Sequence, residues 1–376
     1  MQIELPISKS IANRLLILQA IHGDGLLTVS ISMPDDVQIL HNALTTLHHS
    51  TPRYTTLHLS NCGTAMRFLT AYAAQLENRV TIVDGVERMR HRPIGQLVDA
   101  LREIGADIEY LGEEGFPPLR IKGCILDKQR LVTINNPQST QFVSALLLIG
   151  ANVHTDSTSP YITLTRTLIE RYAQHHMNRS QGVDCERNVV ENNVVGVVDL
   201  YKIERDWSSA AFWYEYVALH GGEITLPGLY RDSMQGDKVV ADIFTRLGVH
   251  TTYTAEGITI VSTGVADLQG IDVRSTAQRS AGEILLQDFS ACPDLYPAVA
   301  LTCDRLGIEL HATGTDSLPL KESDRLRAVR EHRTDHDHRM AMALLIAGYE
   351  VDDTICISKS YPQFIEQWNN VIRSHA

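Results

Sequence analysis

The sequence predicts an α/β fold, and three observations carry the prediction. Amphipathic stretches with helical spacing run out at a Gly followed by a small apolar residue, a short strand-like stretch follows each stop, and the pair recurs with short polar stretches between. The clearest copy is 93–105. Ile94, Leu97, Val98, Leu101 and Ile104 share one helical face, Pro93 suits the first helical position, and Gly105 supplies the stop. Residues 106–111 then alternate as a half-buried strand. The design returns at 239–248, where Ala241, Ile243, Phe244 and Leu247 precede Gly248-Val249 and a Thr-rich strand segment, and a further copy is read at 162–171.

Composition sets the outer limits. The chain has 376 residues, 44% hydrophobic and 21% charged, with 24 Gly and 13 Pro, which excludes disorder and collagen-like repeats and leaves room for a sizeable core. At about 150 residues per domain, two domains are expected. A net charge of −12 supplies no basic field for nucleic acid. An acidic chain can still hold an anionic metabolite, provided it gathers its few cations into one cleft. The first residues lack a basic and then apolar leader, and no apolar run approaches about 18 residues, so a cytoplasmic, non-membrane protein is expected. The six cysteines (62, 124, 185, 292, 303 and 356) lie far apart without a CxxC pair and read as reduced thiols.

Five segments set small polar or basic residues before an apolar-periodic run, where free helix N-terminal amides can meet an anion. In 7–14, helical spacing brings Ser10 and Arg14 to one face with Lys9 beside them. In 60–67, Gly63 admits a close backbone approach and Thr64 is read as a helix cap. In 88–93, three arginines stand ahead of a helix start, an unfavourable place for cations unless something anionic compensates. In 138–142, Ser139, Thr140 and Gln141 offer hydroxyls and an amide, and either hydroxyl equally suits a plain cap. The fifth region joins Lys321-Glu322-Ser323-Asp324-Arg325, Asp337-His338-Arg339-Met340-Ala341-Met342 and Ser358-Lys359-Ser360. His332, His336 and His338 with Asp335 and Asp337 have the composition of a metal cluster, but no helix brings them to one side, so no metal is expected.

Taken in this order, the segments closely resemble the 3-phosphoshikimate 1-carboxyvinyltransferase (EPSP synthase) family of enolpyruvyl transferases. Asn-x-Gly-Thr-Ala-Met-Arg at 61–67, Arg-Pro-Ile-Gly at 92–95, Lys-Glu-Ser-Asp-Arg at 321–325 and Asp-His-Arg-Met-Ala-Met at 337–342 carry the likeness, which runs from Ile7 to Pro362. The resemblance implies a two-lobed α/β fold of repeated βαβαββ units with the active site in the cleft between lobes. One lobe would be 8–205, and the other 1–7 with 206–376. It implies transfer of the enolpyruvyl group of phosphoenolpyruvate to the 5-hydroxyl of shikimate 3-phosphate, by a monomer without cofactor.

By the same resemblance, Ser10, Arg14, Ser139, Thr140, Gln141, Thr158, Tyr161, Ser317, Asp294 and Lys321 would meet shikimate 3-phosphate. Lys9, Asn61, Gly63, Thr64, Arg92, Gln141, Arg325, Arg339 and Lys359 would meet phosphoenolpyruvate. Asp294, Glu322, Lys321, Lys9 and His338 would carry the chemistry. The related transferase acting on UDP-N-acetylglucosamine relies on a loop cysteine that has no counterpart here.

Cys62 stands where the family has Ala, Thr140 and Thr158 where it has Ser, and Ser317 where it has Asn. Two stretches, 47–61 and 325–337, are short. The eleven residues between Arg325 and Asp337 span about 17 Å as a helix and leave nothing for return strands. Either the natural chain carries more residues there, or one module is truncated and Arg339 is loosely held.

Overall fold

The computed structural model describes residues 1–49, 53–180, 203–264 and 284–375. The chain divides into two compact units: an N-terminal unit of Ser10–Ser30 and Asp36–Ile203, and a C-terminal unit of Met1–Lys9, Ile31–Asp35 and Glu204–Ala376. Residues 31–35 depart from the expected 8–205 grouping for a local reason. Gln363 Nε2 donates to the Ser32 carbonyl at 2.6 Å, and Ser358 Oγ donates to Asp35.

The N-terminal unit opens with α1 (Lys9–His22) and α2 (Asp35–His49). It continues through β1 (Tyr54–His58), α3 (Gly63–Ala74), β2 (Val80–Asp84), the single turn α4 (Glu87–Arg90), α5 (Gly95–Glu103), β3 (Asp107–Tyr110) and β4 (Leu119–Lys122). β1 and β2 are parallel, β4 is antiparallel to β2 and β3, and the sheet order is β1-β2-β4-β3. This is one complete βαβαββ module, because parallel neighbours need a helical crossover whereas the last two strands need only a loop. Gly105, at φ +99, makes the expected stop before β3.

Two helix starts differ from the sequence reading. Ile94 is the N-cap of α5, so Pro93 precedes the cap and does not occupy the first helical position. Thr64 lies inside α3, and the cap is Cys62, whose Sγ accepts from the Ala65 amide at 3.4 Å. The helical backbone of Thr64 turns its hydroxyl away from the free amides, and it accepts instead from Gln141 Nε2 at 2.9 Å.

A second module places β5 (Val132–Thr133) parallel to β6 (Val153–His154) across α6 (Thr140–Leu148) and continues into α7 (Pro160–Ser180). The copy read at 162–171 lies within α7, which runs on unbroken to Ser180 in place of a Gly stop. Residues 181–202, which include Cys185, lie outside the described residues.

In the C-terminal unit, α8 (Trp207–His220) leads to β7 (Glu223–Pro227), a 3-10 turn at Gly236–Val239, α9 (Val240–Thr245), β8 (Val249–Tyr253) and β9 (Gly257–Ser262). The sheet order is β7-β9-β8, and Gln2 bridges Thr225 in parallel, so the first residues of the chain serve as this module's opening strand. The next module runs β10 (Ile284–Asp288), α10 (Tyr296–Leu306), β11 (Glu309–Thr313) parallel to β10, and α11 (Arg325–Glu331). Then α12 (His338–Ile346) begins with no strand between, and α13 (Phe364–His375) closes the unit. The short 325–337 stretch therefore ends as a βαβα half-module. His332 takes a left-handed conformation at φ +51, and the Arg333 amide donates back to the Ala328 carbonyl at 3.0 Å, which caps α11 in place of a return hairpin.

Trp207, Phe212, Trp213, Phe244, Phe289 and Phe364 form the centre of the C-terminal core. Glu215 on α8 is buried among them, and neither carboxylate oxygen has a hydrogen-bond partner among the described residues. Burial pushes its carboxyl well above the ordinary range. The unfolded carboxyl ionises near its usual value while the folded one stays protonated, so this residue costs stability as pH rises, about 1.4 kcal/mol per unit within that window. Urea unfolding at pH 5 and pH 8 should show wild type losing more stability over the interval than Glu215→Gln. Parallel losses in the two proteins would mean that Glu215 is ionised in the folded state.

Candidate active site

The sequence candidates gather into one constellation within each unit. In the N-terminal unit, Gly63 opens α3 beneath two guanidinium groups. A Cβ at Gly63 would lie 2.5 Å from Arg67 Nη1 and 2.6 Å from Arg92 Nη1, so a side chain there would displace one or both guanidinium groups. Arg67 donates through Nη1 to the Gly63 carbonyl at 3.1 Å and to Gln141 Oε1 at 3.0 Å, with its guanidinium over the Phe142 ring. Gln141, on the first turn of α6, thereby ties Arg67 to Thr64. Ser139 caps α6, accepting from the Gln141 amide at 3.3 Å, and Thr140 is the first helical residue.

Two adjoining arginines at the positive end of α3 repel each other and the helix dipole, an arrangement that favours an anion over Gly63. The expected cation excess ahead of α5 is partly answered internally, because Arg90 forms a two-pronged pair with Asp84 at 2.7 and 3.0 Å. Arg92 is buried, and Asn61 lies in the turn that enters α3. Arg67 was not among the candidates. Its signal was the spacing, since Arg67 follows Gly63 by four residues and helical geometry folds it back over the helix start.

Arg14 sits deeper than its motif suggests. Nε donates to Thr165 Oγ1 at 2.7 Å, Nη1 to the Ser10 carbonyl at 2.9 Å, and Nη2 to Ser144 Oγ at 3.2 Å and the Tyr161 carbonyl at 3.3 Å. Every nitrogen is engaged, and burial brings the guanidinium down to about 10. Arg14 braces α1, α6 and α7, and so fixes Ser10 and Tyr161 near it. Thr158 is exposed in the loop before α7.

In the C-terminal unit, the charged runs converge on Arg325, which is 1% exposed. Its Nη1 donates to Asp294 Oδ1 at 2.8 Å, Nε to Asp337 Oδ2 at 2.8 Å, and Nη2 to Glu322 Oε2 at 3.1 Å. Burial opposes its charge, but the three acids outweigh burial and keep it fully cationic. Asp294 also meets Lys321 Nζ at 3.4 Å and Arg339 Nη2 at 3.0 Å. Burial disfavours its anion, yet Arg339, Lys321 and Arg325 together hold its carboxyl well below the usual range. Glu322 Oε1 faces Lys359 Nζ at 3.4 Å. Asp337 caps α12 by accepting from the Arg339 amide at 2.9 Å, and Ser317 stands at the N-cap position of the 3-10 turn that leads to Lys321, with no capping bond from its side chain.

His338 and Arg339 are both buried on the first turn of α12. Neither ring nitrogen of His338 and not Nη1 of Arg339 has a hydrogen-bond partner among the described residues. Burial first, then the charges of Lys9, Arg339 and Lys359 against that of Glu322, holds the imidazole neutral far below its ordinary pKa. His336 pairs instead with Asp353 at 2.6 Å, and among the described residues no three His, Cys, Asp or Glu side chains are placed to hold a metal ion. Lys9 reaches this unit through its amide, which donates to Asp206 Oδ2 at 3.2 Å, while Asp206 Oδ1 caps α8 at Ser209.

A family model described as EPSP synthase (3-phosphoshikimate 1-carboxyvinyltransferase) matches residues 27–333 and 330–368. A 3-phosphoshikimate 1-carboxyvinyltransferase of Bacteroides fragilis (strain YCH46) is 35% identical over 416 aligned residues, which cover 98% of this chain and 94% of the relative. The chain belongs to the EPSP synthase family. An Escherichia coli O1:K1 / APEC relative of the same name is 31% identical over 424 residues, covering 97% of this chain and 95% of that relative. An EPSP synthase structure from Acinetobacter baumannii shares the fold at TM-score 0.61 and 20% identity, covering 98% and 95% of the two chains. Both sequence alignments are longer than the 376-residue chain, so these family members carry stretches that it lacks.

Arg325 carries three acids at once, and Lys in its place keeps the charge but loses the planar fork. Arg325→Lys should destabilise the C-terminal unit by about 3 to 5 kcal/mol, the cost of breaking a buried ion network on one side. Urea unfolding measures it, and a loss below about 1 kcal/mol would show that the acids find other partners.

Proposed function

We propose that this chain transfers the enolpyruvyl group of phosphoenolpyruvate to the 5-hydroxyl of shikimate 3-phosphate, releasing phosphate, with the residues above in distinct roles. The observation that carries the assignment is the buried Arg339 Nη1, a charged donor without an acceptor, beside Glu322, Lys359 and a neutral His338. Such a donor is costly to bury unless an anion completes it. Phosphoenolpyruvate offers a carboxylate and a phosphate suited to that donor.

In this reading Arg339, Lys359, Lys9 and the Arg92–Gly63–Asn61–Thr64 edge receive phosphoenolpyruvate. Ser10, Ser139, Thr140, Gln141, Thr158, Tyr161 and Ser317 receive shikimate 3-phosphate, with Arg14 as their brace. Arg325 acts by holding Asp294 and Glu322 in place. The functional lobes are 8–205 and 1–7 with 206–376.

Asp294 stays anionic beside Lys321, so it accepts the hydroxyl proton late, as the C–O bond to C2 forms. Glu322 gives a proton to C3 and takes one back when phosphate leaves the tetrahedral intermediate. Glu322 must carry that proton first, and an arriving polyanion that competes for Lys359 frees it to do so. His338 supplies one donor and one acceptor to orient the reacting groups. The protein's own cations serve the developing charge and no electron transfer occurs, so the reading includes no cofactor; a cytoplasmic monomer is part of the same proposal. Sedimentation at 41.9 kDa is its signature.

Phosphate release should require both substrates together, and release with phosphoenolpyruvate alone would refute the assignment. Arg92→Lys and Arg339→Lys should each weaken phosphoenolpyruvate binding by about 2 to 3 kcal/mol through loss of bidentate geometry. Wild-type affinity in either variant would reduce that arginine to a structural cation. Glu322→Gln should abolish proton exchange at C3 in single-turnover experiments, and unchanged exchange would remove Glu322 from the carbon chemistry.

A further inference from the structure

Gln235 stands in none of the motifs that carry the family likeness, yet its side-chain amide ties together the two backbone segments that hold Lys9. It lies at the start of the 3-10 turn before α9 and is 6% exposed. Oε1 accepts from Ser8 Oγ at 2.8 Å and from the Trp207 amide at 3.2 Å. Nε2 donates to Glu204 Oε2 at 2.9 Å and to the Arg205 carbonyl at 2.7 Å. The Trp207 amide can only donate and the Arg205 carbonyl can only accept, so the side-chain amide is held in one orientation.

Residues 6–8 and 204–206 run side by side here. The Ser8 amide donates to the Glu204 carbonyl at 2.8 Å, the Asp206 amide donates to the Pro6 carbonyl at 3.0 Å, and Ile7 bridges Arg205 antiparallel. The Lys9 amide extends this ladder through its bond to Asp206 Oδ2 at 3.2 Å. Gln235 secures both sides of that bond, because Ser8 directly precedes Lys9 while Arg205 and Trp207 flank Asp206. Glu204 fixes the glutamine in turn. Its Oε1 accepts from Trp207 Nε1 at 3.0 Å and the Tyr230 amide at 3.3 Å, its Oε2 accepts from Ser233 Oγ at 2.6 Å, and Ser233 Oγ accepts from the Gln235 amide at 3.1 Å. A buried network whose members are satisfied is rigid.

We propose that Gln235 is a positioning residue that fixes the backbone of Lys9 so that its ammonium group meets phosphoenolpyruvate, a role that rests on Lys9 binding that substrate. It acts through Ser8 and Asp206 and not by touching substrate. Lysine carries its charge on a flexible stem, so the ammonium is placed only as firmly as the backbone that bears it. Ser10, one residue on, is secured separately, because Arg14 Nη1 donates to its carbonyl at 2.9 Å. Loosening the Gln235 network therefore falls on the phosphoenolpyruvate lysine more than on the shikimate 3-phosphate serine.

The test is steady-state kinetics of Gln235→Met, which keeps the length of the side chain and removes its amide. KM for phosphoenolpyruvate should rise about tenfold, with kcat and KM for shikimate 3-phosphate changed less than about twofold, as expected for weakened binding of one substrate. Ser8→Ala leaves Gln235 its other partners and should raise the same KM about threefold, which supplies the answer should Gln235→Met fold poorly. In the double variant the two effects should not multiply, because both changes break one link.

A wild-type KM for phosphoenolpyruvate in either single variant overturns the proposal. So does a rise of both KM values in step with lost stability, or effects that multiply in the double variant. Lys9→Met run alongside separates the two readings. An unchanged KM for phosphoenolpyruvate there removes the Lys9 assignment itself, whereas a raised KM or lost turnover there, with Gln235→Met at wild-type level, removes only the role of Gln235.

Discussion

One buried guanidinium organises the C-terminal chemistry. Arg325 takes its acids from three places in the chain: Asp294 ahead of α10, Glu322 in the approach to α11, and Asp337 at the cap of α12. Removing so much charge from water is unfavourable in itself, and the network stands because every nitrogen of the fork meets a carboxylate oxygen. Asp337 accepts from Arg325, from the Ser323 hydroxyl and from the Arg339 amide, so the helix that carries His338 and Arg339 is fixed by the same carboxylate that neutralises Arg325. Asp294 likewise links Arg325, Lys321 and Arg339. A change at Arg325 therefore propagates to each candidate in this unit.

The N-terminal unit solves a different problem. Arg67 donates to carbonyls and a glutamine oxygen and lies over an aromatic face. Neutral acceptors hold a guanidinium in place without cancelling its charge. Arg14 shows the same economy carried further, since hydroxyls and carbonyls engage each of its three nitrogens and cancel none of its charge. In the C-terminal unit arginines meet carboxylates in direct pairs, whereas Arg67 and Arg14 of the N-terminal unit meet neutral oxygens.

What was legible in the sequence followed from rules that act over a few residues. Gly105 and Gly248 end helices because their positive φ suits glycine, and both were read correctly. The short 325–337 stretch was read as too short for return strands by reach alone, and the half-module ending at His332 shows the same limit. Reading failed where a choice depends on the third dimension. Cys62 takes the cap from Thr64 because the helix begins two residues earlier than the hydroxyl pattern suggests. The boundary of α7 escaped because no Gly interrupts it. Arg67 was missed because it acts on a residue distant in sequence, Gln141. Glu215 looks like an ordinary polar position on a helix, and only the burial of α8 on all sides exposes its cost.

The half-module also explains how this chain manages with fewer residues than its relatives. A return hairpin after α11 would secure the approach to Asp337 by backbone pairing. Here the work passes to side chains and a helix cap. The left-handed His332 turns the chain, Asp335 gathers Arg327 and Arg333 at 2.8 and 3.1 Å, and Thr334 and His336 reach Asp352 and Asp353. Most of these pairs are exposed and individually weak. The buried Arg325 network that follows is joined to them through the Asp337 amide, which donates to the Thr334 carbonyl at 2.9 Å. Arg339 is 3% exposed and paired at 3.0 Å, so truncation does not leave it loose. A sheet edge can be trimmed from this fold because the turn that leads into α12 is anchored by charge at its centre and by α12 packed on the core, not by the strands that would otherwise lead to it.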